Sequence, residues 1–492
     1  MPHDPRPYQS AAIARLRQNF ARGVRRQLLV APTGAGKTTI AAIMIDAARR
    51  KQKRIWFLAH RKELIDQCSA RLDDHGVDHG VIQSGHYRLK PWLAVQIVSV
   101  QTVVRKGRLQ SLEAPDLIIV DEAHRAAAKS YLDVFAAYPD AAVIGLTATP
   151  WRLDGKPLGD RFDDLVLVAK PQELIDLGFL LSPRVFAPHV PDLAGIKKSG
   201  SDYQKSALAD RVNNATITGD IVTHYQRLIE PTANPCAVAF AVNVAHSMAI
   251  RDKFCEAGIS AAHLDAQTHP RERNAILADL KRGTLRVVCN CEILTEGWDL
   301  PELGGVILAR PTKSVALYLQ MAGRGMRPFE GKTGWILLDH AGCVYEHGFP
   351  QDDREYSLDQ PAKRQKREQD DEDNPGAITI CEECFCAYLS KLRICPSCGY
   401  ERPIVEREIK HKEGDLEELT PEQLLKRLKV IPWDARRNFL AHRYVDAREK
   451  GYKSSWACFM FKDRFGRWPP RAMQHEAFEM VDQIIDDRRL AV

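Results

Sequence analysis

Lys37, Asp121 and Glu122 are the residues from which a reaction can first be read. Lys37 and Thr38 close the octapeptide APTGAGKT, Ala31 to Thr38, which is otherwise built from small residues. Gly34 and Gly36 carry no Cβ, so successive backbone N–H groups can approach and face a triphosphate. In such a cradle Lys37 meets the β- and γ-phosphates and Thr38 ligates Mg²⁺, with Thr33, Ala35 and Thr39 completing the lining of an ATP site. Ala31 stands where the strict phosphate-loop pattern has glycine, so the loop alone also reads as a plain strand-to-helix turn with a surface lysine. The stretch DLIIVDEAH, Asp116 to His124, supplies what the loop lacks. Asp121 suits the Mg²⁺ shell, and Glu122 suits orienting and deprotonating an attacking water. A lone Asp-Glu pair is equally an acidic helix start stabilised by the helix dipole; beside a phosphate loop, nucleotide hydrolysis is the expected chemistry.

The elements that must position these residues are legible around them. The loop follows the apolar run of RRQLLV, Arg25 to Val30, and precedes TIAAIMIDAARRKQK, Thr39 to Lys53, which reads as an amphipathic helix with basic residues in its last turns. The four apolar residues Leu117 to Val120 form a second buried strand that places both carboxylates at its carboxyl end, where ligands gather in open α/β sheets.

APTGAGKT with DEAH resembles motifs I and II of the superfamily 2 helicases, in which alanine at the first loop position is usual. Other motifs resemble that superfamily in order: RPYQ (Arg6 to Gln9) the adenine-reading Q motif, LAHRKEL (Leu58 to Leu64) motif Ia, VSVQT (Val98 to Thr102) motif Ib, and TATP (Thr147 to Pro150) motif III. AFAVNVAHS (Ala239 to Ser247) sits where motif IV belongs. TEGWDLPE (Thr295 to Glu302) resembles motif V, and QMAGRGMR (Gln320 to Arg327) fits QxxGRxxR of motif VI. Within the superfamily the runs LIDLGFLLSPRVF and RPTKSVALYLQMAGRGMRP, with a downstream cysteine cluster, most resemble the RadD-type DNA-repair helicases of bacteria and related phage or prophage proteins.

The resemblance implies two RecA-like parallel-sheet lobes with Mg-ATP between them. Arg6 and Gln9 would read the adenine, and Gly297 and Asp299 would serve the ribose. Arg324 and Arg327, three apart and so expected on one helix face, would act with Gln320 as arginine fingers on the transferring phosphoryl group. With the cradle on one lobe and the fingers on the other, the catalytic charge is complete only when the cleft shuts, which couples hydrolysis to movement. His124, Thr147 and Thr149 would link the ATP site to a nucleic-acid path, and Arg61, Gln101, Thr102 and Thr295 are the implied phosphate contacts. The short apolar runs CAVAF, LRVVCN, GGVILAR and GWILLDH, alternating with helical segments such as HPRERNAILADLKRG, support a second α/β lobe directly.

Twelve cysteines are scattered except for one cluster, so a disulfide framework is not expected. Cys381-x₂-Cys384 and Cys395-x₂-Cys398, with ten residues between the pairs, match a zinc ribbon with a closed four-thiolate site; an iron–sulfur cluster or redox thiols are the competing readings. The expected organisation is lobe 1 over 1–185, a connector over 186–216, lobe 2 over 217–350, a charged linker over 351–376, the ribbon over 377–402 and a helical domain over 403–492. That last domain holds ten Lys/Arg against three Asp/Glu between Arg436 and Arg471, interleaved with aromatic residues that make either its core or a platform for unpaired strands. A helix is also expected from Thr420, where TPEQLLKRL places threonine at the cap and proline at the first position.

The composition, 45% hydrophobic with 27% charged residues, is that of globular protein, and the net charge of +6 suits a polyanionic partner without requiring one. No apolar run is of signal-peptide or membrane-spanning type, so the expected place is a bacterial cytoplasm or nucleoid, with phage or prophage origin open. The expected partner is DNA, single-stranded or branched, with RNA left open and single-strand-binding or repair proteins as further candidates; the chain is expected to act as a monomer away from membranes. The expected activity is an ATP-dependent DNA helicase or translocase. The alternatives are a restriction or defence motor, an RNA helicase, and a zinc-containing nucleic-acid adaptor with weak ATPase.

Overall fold

The computed structural model describes residues 4–105, 108–187, 198–199, 202–203, 215–295, 297–360, 377–402, 433–465 and 468–490. Most of the expected connector, the linker from residue 361 and the helix expected from Thr420 lie outside the described residues. Two units are each compact, Met1–Pro403 and Ile404–Val492.

In the first lobe, strands β1 (Arg26–Val30), β2 (Ile55–Ala59), β3 (Gly80–Ile82), β4 (Val95–Ser99), β5 (Leu117–Val120), β6 (Ala142–Thr147) and β7 (Asp164–Leu167) form one sheet in the order β3-β4-β2-β5-β6-β1-β7. Every pairing is parallel. Strands covered on both faces must be apolar throughout, which is why IWFLA and LIIV do not alternate. The carboxyl ends of β1, β2, β4, β5 and β6 lead into the phosphate loop, Arg61, Gln101, Asp121 and Thr147. One edge of the sheet therefore gathers residues as far apart in sequence as Lys37 and Thr147. The helix after β1 runs Lys37–Arg49, two residues earlier than the apolar pattern suggests, because Gly36 at φ +84° turns the chain directly into it.

The second lobe is built on β8 (Pro183–Phe186), then the hairpin β9 (Lys198–Ser199) and β10 (Asp202–Tyr203), then β11 (Ala237–Phe240), β12 (Ala261–Leu264), β13 (Val287–Asn290), β14 (Gly305–Leu308) and β15 (Trp335–Asp339). Its parallel sheet has the order β12-β13-β11-β14-β15-β8. β8 spans the expected boundary between the first lobe and the connector, yet its backbone pairs with β15 of the second lobe, from Pro183 opposite Trp335 to Phe186 opposite Leu338. Residues 351–360, expected to open a linker, return to the first lobe instead. Gly159 N donates to Leu358 O at 2.9 Å, Trp151 Nε1 donates to Gln360 O at 3.1 Å, and the Trp151 and Tyr356 rings lie 5.4 Å apart. Tyr356 and Leu358 thereby extend the apolar core beneath β5 and β6.

The ribbon hairpin pairs β16 (Ile378–Ile380) with β17 (Ala387–Leu389). It packs on the second lobe: Ala187 N donates to Phe385 O at 3.2 Å, and Cys381, Tyr388 and Cys395 share a core with Tyr225 and Ile336. The carboxyl-terminal unit has helices Trp433–Glu449, Ser454–Phe465, Arg471–Glu479 and Val481–Leu490 around Leu440, Val445, Phe461 and Met473. Its aromatic residues divide: Tyr444 and Phe461 are core, whereas Tyr452, Phe459 and Trp468 are exposed.

Candidate active site

The phosphate loop is shaped by contacts from both sides. Gly34 has φ +90°, and a Cβ there would stand 2.9 Å from Leu180 Cδ2 and 3.3 Å from Arg327 Cγ. Only glycine meets the backbone angle and the crowding together. Behind the loop, Gln9 accepts from Arg6 N at 3.0 Å and donates to Ala35 O at 3.1 Å, and the Tyr8 hydroxyl donates to the same carbonyl at 3.2 Å. Arg6 donates to the Tyr8 hydroxyl at 3.0 Å, and its guanidinium stands 4.5 Å over the Phe179 ring. The expected base-reading residues are thus tied to the loop, and Gln9 spends its amide on Arg6 and Ala35.

Lys37 donates to Ala31 O at 3.2 Å, and Ala31 N donates to Thr147 O at 2.9 Å, which fastens the loop to the end of β6. Burial pushes the Lys37 ammonium below its ordinary value; Glu122 and Asp121 oppose this, while Arg324 and Arg327 add to it. Two carboxylates from β5 and two guanidiniums from the second lobe all act on one lysine from the loop. Thr33, Thr38 and Thr39 flank it, half-buried, with Ala35 buried beneath. Glu122 sits at φ +49°, a conformation a non-glycine residue adopts only where its surroundings hold it, and Glu122 N donates to Asp121 Oδ1 at 3.0 Å. His124 Nδ1 lies 3.3 Å from Glu122 Oε2.

Arg324 and Arg327 do not share a helix face as expected. The helix Val315–Ala322 ends before them, and the chain continues as a turn through Gly323 to Met326. The reason is local. Two glycines weaken the helix, and Pro328 biases Arg327 away from helical angles. Arg324 donates to the carbonyls of Thr295 and Trp298, and Arg327 pairs with Asp299, so both bind the motif V segment; Gln320 is buried one turn earlier. A Cβ on Gly323 would stand 2.6 Å from Thr33 Cβ, so this turn abuts the phosphate loop. Gly297, at φ +70°, accepts from Gln67 at 3.0 Å across the lobes.

The expected nucleic-acid contacts separate. Gln101 is exposed and donates to His60 O at 2.8 Å; with His124, Arg125 and Arg152 it lines a cavity of about 420 Å³. Arg61 donates across to Ile293 O at 3.4 Å. Thr102 and Thr295 are buried, and the Thr295 hydroxyl donates to Glu292 O at 3.4 Å. Thr147 and Thr149 bond to each other, the Thr147 hydroxyl donating to Thr149 O at 2.8 Å, which holds the turn after β6. Unforeseen in the sequence are Tyr8 and Phe179 behind the loop and an ion pair between the lobes, Arg273 Nη1 to Glu63 Oε1 at 2.7 Å. Their only signal is position: Tyr8 lies inside RPYQ and Glu63 inside LAHRKEL.

Cys381, Cys384, Cys395 and Cys398 bring their Sγ atoms within 4.8 Å of one another. The pairs Cys381–Cys398 and Cys384–Cys395 stand at 3.5 and 3.6 Å. A tetrahedral zinc with bonds of about 2.3 Å requires sulfur–sulfur edges of about 3.8 Å. The cluster fits such an ion.

Residues 2–152 match the family described as "Type III restriction enzyme, res subunit", and residues 221–328 match "Helicase conserved C-terminal domain". A 51.5 kDa protein of a Lactococcus phage (isolate 7-9) is 30% identical over 82% of this chain and 84% of its own length. A Saccharomyces cerevisiae protein that carries an ATP-dependent helicase name, IRC3, is 32% identical over 69% of this chain; the chain spans 51% of that relative. The ATP-dependent Type ISP restriction-modification enzyme LlaBIII, solved bound to DNA, has the same fold over 68% of this chain and 28% of its own, with 20% identity and a TM-score of 0.53. Among the described residues no helix is long and apolar enough to cross a membrane.

Proposed function

The chain belongs to the DEAD/DEAH-box helicases of superfamily 2, enzymes that hydrolyse ATP, and on that premise we propose that it couples hydrolysis to movement along DNA in repair or recombination. The observation that carries this reading is the abutment of the arginine turn on the phosphate loop, where a Cβ on Gly34 would stand 3.3 Å from Arg327 Cγ and one on Gly323 2.6 Å from Thr33 Cβ. Lys37 neutralises the β- and γ-phosphates. Thr38 and Asp121 hold Mg²⁺, and Glu122 takes the proton of the attacking water. Arg324 and Arg327 are already held at the motif V segment, so closing brings a prearranged pair of guanidiniums to the phosphate edge. Thr33, Gly34, Ala35, Gly36 and Thr39 line the phosphates, Arg6, Tyr8 and Gln9 brace the loop from behind, and Asp299 with Gly297 serves the ribose. Arg61, Gln101, Thr102 and Thr295 mark the path of the polymer, with Gln101 the most accessible of them. The four cysteines hold one Zn²⁺, which stabilises a module too small for a large core of its own.

A second reading, the motor subunit of a restriction or defence system, is supported by the family match over residues 2–152 and by the fold shared with LlaBIII.

The test is ATP turnover by the full chain alone and with single-stranded DNA, forked DNA or RNA. DNA is expected to stimulate turnover, more weakly as salt rises, because phosphate contacts release counterions. Lys37→Ala and Glu122→Gln are expected to abolish it. Stimulation by RNA alone removes the repair assignment. Stimulation by DNA only in the presence of a restriction partner favours the second reading.

A further inference from the structure

Lys332 belongs to none of the helicase motifs and stands in EGKTGW, just before β15. Its side chain is nevertheless buried, 7% exposed, and its ammonium donates to three backbone carbonyls: Gly325 O at 2.8 Å, Arg327 O at 3.0 Å and Pro301 O at 3.0 Å. Three N–H donors meet three acceptors, the full valence of a protonated amine. Between the two gripped carbonyls of the arginine turn, Met326 O accepts from Leu181 N at 2.8 Å. Three consecutive carbonyls behind Arg327 are therefore each held, two by one lysine and one by the segment that touches the phosphate loop.

Burying an ammonium costs several kcal/mol before pairing, so such a residue needs a compensating role. Carbonyls just past a helix end favour a cation, and the helix Val315–Ala322 ends here. The third acceptor is the informative one. Pro301 lies two residues beyond Asp299, and Asp299 pairs with Arg327. The ammonium thus ties the backbone of one member of that ion pair to the backbone beside the other. Cys236, Glu302 and Arg327 are the titratable groups facing it; Glu302 and Cys236 favour its charge, Arg327 opposes it, and burial outweighs them, bringing the amine down to about 8.

We propose that Lys332 is a positioning residue for ATP hydrolysis: by bridging Pro301 O to Gly325 O and Arg327 O it fixes where the Arg327 guanidinium stands relative to Asp299 and the phosphate loop. Arg327 is held by its side chain and by its own carbonyl, so without Lys332 the ion pair could form with the turn displaced.

The test uses the full chain and compares wild type, Lys332→Met and Lys332→Arg in steady-state ATP turnover, thermal melting and amide hydrogen exchange. The expected result for Lys332→Met is a loss in kcat of at least tenfold, with KM for ATP within threefold and melting within a few degrees of wild type. Exchange is expected to quicken over residues 299–301 and 325–327. Lys332→Arg, which keeps the charge and has donors to spare, is expected to recover most of kcat. A Met variant with kcat within twofold of wild type overturns the proposal. So does a loss of kcat that tracks an equal fall in melting temperature in both variants, which would mark a structural strut. Should arginine not fit, unchanged exchange over those two segments in a normally melting Met variant overturns it as well.

Discussion

Gly34 of the phosphate loop and Arg327 of the second lobe are in contact: a Cβ added to Gly34 would stand 3.3 Å from Arg327 Cγ, with Leu180 nearer still at 2.9 Å. The cradle and the clamp of the active centre touch through a position that holds no side chain. Gly34→Ala therefore meets two obstacles, the φ of +90°, strained by about 1–3 kcal/mol for alanine, and the lost approach of the other lobe. Its ATP turnover is expected to fall at least tenfold. Gly258→Ala separates the two causes, since Gly258 has φ +76° with nothing within 4 Å of its would-be Cβ. That control should lose stability and keep turnover. Equal losses of turnover in both variants would refute the contact argument.

The ion pair between Glu63 and Arg273 should bias closing only modestly. Their side chains are 43% and 17% exposed. Pairs of this exposure contribute about 0.2–1 kcal/mol, up to about fivefold in an equilibrium. Glu63→Gln or Arg273→Gln is expected to raise KM for ATP by twofold to fivefold, with less effect at high salt. The double variant should be no worse than either single. Additive losses would show that the two residues act separately.

The ATP half of the site was legible because it is local. A phosphate loop needs strand, glycines, lysine and helix in contiguous order, and the run from RRQLLV through APTGAGKT to TIAAIMIDAARRKQK carries all of them; the strand LIIV announces itself as buried by lacking alternation. What is long-range was not legible. β8 joins the second lobe because β15 offers it an unpaired edge, which nothing in SPRVF declares. The arginine pair sits in a turn because Gly323, Gly325 and Pro328 outweigh the helical spacing of 324 and 327. Lys332 earns its place from three carbonyls brought together by folding, and carbonyls have no signature in a sequence. The Cys₄ spacing did announce that four sulfurs would gather, but the docking of that cluster on β8 depends on the exposed end of a strand from elsewhere.

That docking makes metal content a matter for the motor. The backbone from Leu180 and Leu181, which touch Gly34 and Met326, runs through β8 to Phe186 and Ala187, which pair with Cys386 and Phe385 of the ribbon. Arg184 also donates to Ser397 at 3.1 Å, and Arg227 to Cys384 O at 3.4 Å. One zinc per chain is expected by elemental analysis. Cys395→Ser, or chelation, should lower the melting temperature by at least about 4 °C, since one kcal/mol is worth about 2–4 °C in a domain of this size. ATP turnover should fall with it. A metal-free chain that melts and turns over normally would detach the ribbon from the motor.

The pH dependence of the second lobe should carry the mark of His246. The residue is fully buried, and burial holds its imidazole down to about 4, against an ordinary 6.5. Between those values the unfolded chain takes up a proton that the native state refuses, so stability is lost as pH falls from 6.5 through 4. The shift corresponds to at most about 3 kcal/mol. Asp339 works in the opposite sense: burial raises its carboxyl from 3.8 to about 6, against four backbone N–H groups that favour the charge. Its native state keeps a proton that the unfolded chain has released, so its contribution is lost as pH rises through that range. Over pH 4–6 the two offset, and the wild-type profile alone cannot apportion them. The difference between wild type and His246→Gln isolates the first. Urea unfolding at pH 7, 5.5 and 4.5 should show the variant's deficit shrinking by about 2 kcal/mol on acidification. Asp339→Asn should show the reverse trend, its deficit growing as pH falls. A deficit for His246→Gln that is the same at all three pH values would mean that the imidazole is protonated in the folded lobe despite its burial.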